Sequence, residues 1–206
     1  MIAILDYGAG NLRSVELAFT RLRENAVITS DPDIVALADG VVLPGVGAFT
    51  DAMDSLKKSG LIPAIHSAVE MGLPFLGICL GMQALFEGSE EGRDTPGLGL
   101  IPGVVRRLPA YGLKIPHIGW NSLRLCKDSR LMTGLPEEPY VYFVHSYACQ
   151  AAQADDVLAA AEYGVEFHAA VQRGNVMGLQ FHPEKSGTVG QQILQNFISL
   201  TKGGDL

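Results

Sequence analysis

One cysteine in this chain stands where a nucleophile would stand. Cys79 lies in Pro74-Phe75-Leu76-Gly77-Ile78-Cys79-Leu80-Gly81-Met82-Gln83, with glycines two residues before it and two after. A strand leads in and a helix leads out, which is the pattern of a Gly-x-nucleophile-x-Gly elbow. The sharp turn forces the central residue into a strained backbone conformation, and side chains at the flanking positions would clash. It aims the thiol at the N-terminus of the following helix, where partial positive charge favours the thiolate. The same helix start offers free N–H groups to a developing oxyanion, that of Leu80 first. Taken alone, the motif fits a small buried cysteine packed between glycines equally well.

A base and its orienter stand at His182-Pro183-Glu184. In an extended segment, residues two apart share a face. Glu184 is therefore expected to hold one ring nitrogen of His182 and leave the other for Cys79, with Pro183 stiffening the link. A nucleophile, a base and a group that orients the base are the parts covalent catalysis requires. The bland alternatives are a solvated strand-end histidine and a helix-entry charge. His66 fits a helix face. His117 and His168 lack a carboxylate in a matching arrangement, although Glu166 lies two residues before His168. His145 reads equally as a pocket-lining residue or as a satisfied strand histidine.

The elements that must position these groups alternate in the first half. Apolar runs at Ile2–Leu5, Val27–Thr29, Val41–Leu43 and Pro74–Ile78 predict strands. Helical spacing spans Leu12–Leu22, Thr50–Lys58, Leu61–Met71 and the residues after Leu80, and Asp31-Pro32 opens a short helix as N-cap and first position. This alternation predicts βαβ units and a parallel sheet. Gly88–Gly103 is polar and Gly-rich and reads as a long loop. Beyond it, strands are predicted at Val104–Leu108, Asn121–Leu125, Tyr140–Tyr147, Val157–Glu162, Phe167–Gln172 and Val176–Phe181. A hairpin turn is predicted at Arg173-Gly174-Asn175, and a last helix near Gly190–Leu200. The whole predicts one mixed α/β domain over residues 1–206.

Composition bounds the rest. With 206 residues, 48% of them hydrophobic, the chain can build a large core and is not of a disordered class. Its net charge of -7 and lack of basic patches exclude a phosphate-backbone binder, so nucleic acid is not expected as a partner. Three scattered cysteines, Cys79, Cys126 and Cys149, form neither a disulfide framework nor a zinc ligand set. No metal or cofactor is expected. The first residues read as a strand rather than a signal peptide, and no apolar stretch reaches the ~20 residues of a membrane helix. A soluble, cytoplasmic protein is expected.

Together, the Cys79 elbow and the His182-Pro183-Glu184 triplet resemble the catalytic triad of the class I glutamine amidotransferases. Four further segments resemble one group within that class, the glutaminase subunits of imidazole glycerol phosphate synthases. They are Asp6-Tyr7-Gly8-Ala9-Gly10-Asn11-Leu12-Arg13-Ser14-Val15, Pro44-Gly45-Val46-Gly47-Ala48-Phe49, Pro116-His117-Ile118-Gly119-Trp120-Asn121 and Phe143-Val144-His145-Ser146-Tyr147. The resemblance spans nearly the whole chain. It implies a three-layer α/β fold, a central mostly parallel sheet flanked by helices, with antiparallel strands added in the second half.

The resemblance also implies roles. Cys79, His182 and Glu184 would hydrolyse the carboxamide of glutamine through a thioester. Leu80 and Val46 would supply the oxyanion N–H groups, the latter on a Pro44–Gly47 loop whose glycines let its peptide rotate inward when a partner is occupied. Gly47, Gln83, Glu91, Ser146 and Tyr147 would contact glutamine. Asn11, Arg13, Trp120 and Lys185 would face the partner, a (β/α)8 cyclase subunit that receives ammonia in a heterodimer. Independently, a chain consumed by one domain, with no nucleotide-binding loop, is expected to pass ammonia to a second protein, because free ammonia is mostly protonated at neutral pH. The rival readings are the glutaminase subunit of pyridoxal phosphate synthase, whose Gly-Gly-Glu-Ser loop replaces Pro44–Gly47, an inactive amidotransferase-like module, and a cysteine hydrolase or peptidase of similar fold.

Overall fold

The computed structural model of the chain describes residues 1–109 and 111–203. Its first half follows the alternation expected: β1 (Ile2–Leu5), α1 (Leu12–Arg21), β2 (Ala26–Thr29), α2 (Pro32–Ala36), β3 (Gly40–Gly45), α3 (Phe49–Ser59), α4 (Ile62–Glu70), β4 (Phe75–Cys79) and α5 (Leu80–Ala84). Asp31 caps α2 by accepting from the Asp33 N–H at 2.9 Å, with Pro32 in the first turn. Apolar residues at every position of β1, β3 and β4 fit strands buried on both faces. Ile2 and Ile4 point to one side with Val15 and Phe19 of α1, while Ala3 and Leu5 point to the other with Phe49, Leu56 and Ile65 of α3 and α4. That is the two-residue period of a pleated strand. The two apolar clusters on either side of the sheet make three layers.

The second half departs from the sequence reading in three places. The segment expected as one loop from Gly88 to Gly103 instead forms a small hairpin, β5 (Gly88–Ser89) and β6 (Gly92–Pro96), before β7 (Gly103–Arg107). Pairing of β5 alongside β7 outweighs the polar, Gly-rich composition. The strand expected at Asn121–Leu125 starts earlier and breaks in two, as β8 (His117–Ser122) and β9 (Arg124–Leu125). The apolar run Tyr140–Tyr147 is not one strand. β10 (Tyr140–His145) pairs with β8 in a separate two-stranded ribbon, and β11 (Tyr147–Ala151) returns to the main sheet after a bend at Ser146. Continuous tyrosine and valine propensity hides a change of sheet.

The chain closes with β12 (Val157–Glu162), β13 (Glu166–Arg173), β14 (Val176–Leu179) and α6 (Gly187–Thr201). The turn between β13 and β14 is only Gly174-Asn175, since Arg173 still pairs with Val176, and Gly174 takes the positive φ of 56°. In the main sheet β2, β1, β3, β4 and β14 run parallel in that order, followed by the antiparallel β13, β11 and β7 and then by β5 and β6. α6 returns across the β1 face, where Phe197 meets Phe19 at a 6.4 Å ring separation. Among the described residues, no helix is long and apolar enough to cross a membrane.

Candidate active site

The carboxyl ends of three neighbouring parallel strands deliver the chemistry to one edge of the sheet, as in open α/β folds generally. Gly45 of β3 lies opposite Cys79 of β4, and Leu179 of β14 lies opposite Ile78. Just beyond these ends come Val46, Leu80 and the run Gln180 to Glu184.

Cys79 has φ 56° and ψ −112°, the left-handed region that non-glycine residues avoid. Such a conformation costs about 1–3 kcal/mol and persists only where neighbours enforce it. The two elbow glycines are required by space. A Cβ at Gly77 would stand 2.7 Å from the Gly81 carbonyl oxygen, and one at Gly81 would stand 1.8 Å from the Leu43 carbonyl oxygen. The helix that follows is short. α5 has five residues, so few aligned peptide dipoles sum behind the sulfur. The positive charge nearest the sulfur is therefore that of the neighbouring His182 rather than a long helix dipole.

His182 and Glu184 meet as expected, but through a different backbone. Pro183–Lys185 is a 3-10 turn rather than a continuation of the strand. The turn brings Glu184 Oε1 to 2.9 Å from His182 Nδ1. It is tied to the ribbon through Ser186: Tyr142 N–H donates to Ser186 Oγ at 2.9 Å, Ser186 Oγ–H donates to the His182 carbonyl at 2.6 Å, and His182 N–H donates to the Tyr142 carbonyl at 3.0 Å. The Glu184 side chain is 2% exposed, so it is not a surface charge at a helix entry. With Nδ1 committed to Glu184, His182 Nε2 remains buried and without a hydrogen-bond partner. Burial by itself would push this imidazole down. The Cys79 sulfur, and after it Glu184, outweigh burial and raise it to about 9.

A histidine raised in this way stabilises the fold fully below its unfolded value of ~6.5. That contribution is lost as pH rises through about 9. Glu184→Gln removes the carboxylate that accepts from His182 Nδ1. The NMR titration midpoint of His182, expected near 9 in the native chain, should then fall. A midpoint equal to the native one would show that the carboxylate orients the ring without tuning it.

Beside the sulfur lies a pocket of about 290 Å³, at the small end of ligand sites. Val46, Gly47, Leu80, Gln83, Glu91, Ser146 and Tyr147 all line it, together with Pro116, Val144 and His145. Every residue assigned from sequence to the oxyanion hole or to substrate is thus at one cavity. Gln83 donates from Nε2 to the Tyr147 carbonyl at 3.0 Å and to Gln180 Oε1 at 3.1 Å. Glu91 is no solvated loop charge, because its Oε2 accepts the Phe49 N–H at 2.8 Å and caps α3 from the β5–β6 turn. His145 is pushed down to about 4, by burial first and by His117 and His182 as like charges. It is a neutral pocket residue.

The Pro44–Gly47 loop is asymmetric. Gly47 has φ 108°, which suits a peptide that can turn. Gly45 is instead closed in, with space for a Cβ ending 2.6 Å from Tyr7 Oη and 2.9 Å from Gly81 N. Glycine is thus required for space at Gly45 and for backbone conformation at Gly47. Tyr7 pins the loop by donating to the Pro44 carbonyl at 2.9 Å, and burial raises its phenol. Sequence reading singled out neither Tyr7 nor the buried Gln180. Both precede recognisable motif residues, but only the packing shows what they touch.

On the other side of the triad, a small cleft is lined by Asn11, Val15, Val46, His182 and Glu184 among others. Of the predicted interface residues, Asn11 lines it and Lys185 follows Glu184 in the chain. Arg13 is exposed and pairs with Glu16. Trp120 is 55% exposed and meets Tyr142 edge-on, so it is not the core aromatic of the alternative reading. Lys185 sits 5.9 Å above the Tyr142 ring.

Comparison with known proteins agrees with this geometry. The profile of the family described as glutamine amidotransferase class-I matches residues 3–200. The chain is 50% identical to the imidazole glycerol phosphate synthase subunit HisH of Moorella thermoacetica, over 98% of this chain and 95% of that one. It is 51% identical to the protein of the same name from Geobacillus kaustophilus, over 98% of each chain. It is 50% identical to that of Methanosarcina acetivorans, over 97% of this chain and 98% of that one. Among solved structures, a glutamine amidotransferase superposes with a TM-score of 0.76 at 20% identity, covering 98% of both chains, and shares the fold. A chain of PurLQS from Thermotoga maritima does so with a TM-score of 0.72 at 19% identity, covering 97% of each. With half its residues identical to HisH subunits over nearly its full length, the chain belongs to the class-I glutamine amidotransferase family, in its HisH branch.

Proposed function

We propose that this chain is the glutaminase subunit of an imidazole glycerol phosphate synthase, with residues 1–206 acting as one catalytic domain. The observation that carries the chemistry is a strained, pocket-facing Cys79 beside a His182 whose free nitrogen is buried and whose other nitrogen is held by Glu184.

His182 takes the Cys79 thiol proton, the sulfur attacks the side-chain carbonyl carbon of glutamine, and the carbonyl π pair moves to oxygen. The N–H groups of Leu80 and Val46 receive that oxyanion. Loss of one such donor costs ~3 kcal/mol, enough for a switch if the Val46 peptide turns inward only in the active complex. Collapse expels ammonia, which takes its proton from His182, and leaves a thioester. His182 then accepts a proton from water, which attacks the thioester and releases glutamate with the free thiol. The balance is glutamine plus water to glutamate plus ammonia, with no cofactor. Gly47, Gln83, Glu91, Ser146 and Tyr147 hold the amino-acid end.

The names of the relatives support a partner. The proposed partner is the cyclase subunit, which takes the ammonia and converts its phosphoribulosyl-formimino nucleotide into imidazole glycerol phosphate and aminoimidazole carboxamide ribonucleotide, in histidine biosynthesis. Asn11 at the cleft behind the triad, and the exposed Arg13, Trp120 and Lys185, suit a docking face. Val46, at 44% exposed, joins that cleft to the substrate pocket. A partner seated on this face would press on the oxyanion loop. A reducing cytoplasm is the proposed setting, since the reaction needs a free thiol.

The test is glutamate release by the chain alone, with the cyclase subunit, and with the cyclase subunit plus its nucleotide. Near-silence, a modest rate and a large rate are expected in that order. No glutamate in any of the three would overturn the glutaminase reading, whereas full activity from the chain alone would overturn control by the partner.

A further inference from the structure

Gln180 stands beside the nucleophile without a part in the triad. It is 0% exposed, follows Leu179 at the end of β14, and its Nε2 lies 3.9 Å from Cys79 Sγ. A buried primary amide must place its oxygen and its NH2 group correctly, because a misplaced one leaves polar atoms unpaired. Here the orientation is dictated from a distance, by groups whose donor or acceptor character is not in question.

The Tyr147 carbonyl can only accept. It takes Gln83 Nε2–H at 3.0 Å, which fixes the NH2 end of Gln83. The second N–H of that group then points to Gln180 Oε1 at 3.1 Å, which must accept. The NH2 end of Gln180 is thereby turned toward sulfur. The same Tyr147 carbonyl also takes His145 Nδ1–H at 2.9 Å, so His145 Nε2 is an acceptor and receives His117 Nδ1–H at 3.1 Å. Both histidines are pushed down by burial and stay neutral, which keeps these tautomers in place. Two runs of donors thus meet at the Tyr147 carbonyl, one from His117 through His145 of the ribbon, the other from Gln83 of α5, whose second N–H continues through Gln180 to the nucleophile.

We propose that Gln180 is a positioning residue for the reaction: its amide N–H, oriented by Gln83 and the Tyr147 carbonyl, holds the Cys79 sulfur on the pocket side of the elbow and favours its anion. The proposal deepens the glutaminase reading and rests on it for the reaction served. The other titratable groups that face the sulfur are His182, with Glu184 behind it, Tyr7 and Cys149. Burial keeps Tyr7 and Cys149 neutral, and the Tyr7 hydroxyl is spent on the Pro44 carbonyl. His145 and Glu91 share the pocket wall.

The test is the alkylation rate of Cys79 by iodoacetamide in the full chain, followed by mass spectrometry so that Cys126 is not counted. For Gln180→Leu the rate at pH 6.5 should fall about tenfold, the effect expected of one lost hydrogen bond to a charged group. At pH 10, where an ordinary thiol is largely ionised, the rate should match the native chain. In the assembled synthase, kcat for glutamine hydrolysis should drop by a similar factor with KM little changed. Gln180→Met, closer in length, repeats the test should the leucine variant fail to fold. A native rate at pH 6.5, or an equal loss at both pH values, would overturn the proposal, the latter by showing only a damaged pocket. The expected alkylation pattern in a protein that releases no glutamate would support the role of Gln180 while sinking the glutaminase reading.

Discussion

Replacing Cys79 with alanine is expected to lower glutamine hydrolysis by at least ~10⁴-fold, with nitrogen transfer from added ammonia in the assembled synthase retained. The size follows from removing the atom that forms the covalent intermediate, since members of a catalytic triad act as a unit. No second thiol is placed to take over. Cys149 is buried in the sheet and held protonated by that burial, and Cys126 is exposed in the stretch after β9. The fold should survive, because alanine loses only one atom from a packed site and its small side chain tolerates the elbow no worse than cysteine does. Glutamate release and ammonia-dependent product formation, measured side by side on the same preparation, check both halves. Residual glutamate release near the native rate would mean that another group carries the attack. Loss of the ammonia-dependent reaction would mean that the variant fails to dock.

The second large effect is on stability. Gly81→Ala puts a methyl group 1.8 Å from the Leu43 carbonyl oxygen, a backbone atom of β3 that cannot swing aside as a side chain would. Either α5 lifts from the sheet or β3 shifts against β4. Overpacking of a closed core costs about 1–3 kcal/mol and more where backbone must move. A loss of ~3 kcal/mol in a chain of this size lowers Tm by roughly 6–12 °C. Thermal unfolding followed by circular dichroism measures it. A Tm within a degree or two of the native one would show that the elbow has slack. Activity should fall with stability in this variant, because the same displacement moves the Leu80 N–H away from the oxyanion position. Gly47→Ala is a gentler change in space, with nothing near its Cβ, and strains only the backbone at φ 108°.

Much of the site was legible along the chain because its parts are local. The elbow around Cys79 needs only a strand, a tight turn and two glycines, all within ten residues. The spacing of His182 and Glu184 was legible too, but the reason first given for it was not. The proline between them begins a 3-10 turn, where continued strand geometry was expected. The segment from Gly88 to Gly103 shows the opposite failure. Its composition says loop, yet Ser89 pairs with Val105 and the hairpin turn carries Glu91 to the start of α3. No local rule predicts that a carboxylate will cap a helix 42 residues earlier in the chain. Ser146 is similar. The chain leaves one sheet and enters another there, and a run of β-prone residues on both sides conceals it.

By itself, then, the sequence determined which groups can do chemistry and in what order the strands and helices come. Apolar period, turn residues and caps act over a few positions and are written in the residues that obey them. Only the tertiary structure decided what those groups touch. Pairing of β3, β4 and β14 is what places Val46, Cys79 and His182 at one edge. Burial then sets which nitrogen of His117 and of His145 carries a proton and turns Gln180 toward the sulfur, because an unpaired polar atom in that dry interior costs more than any local preference can supply.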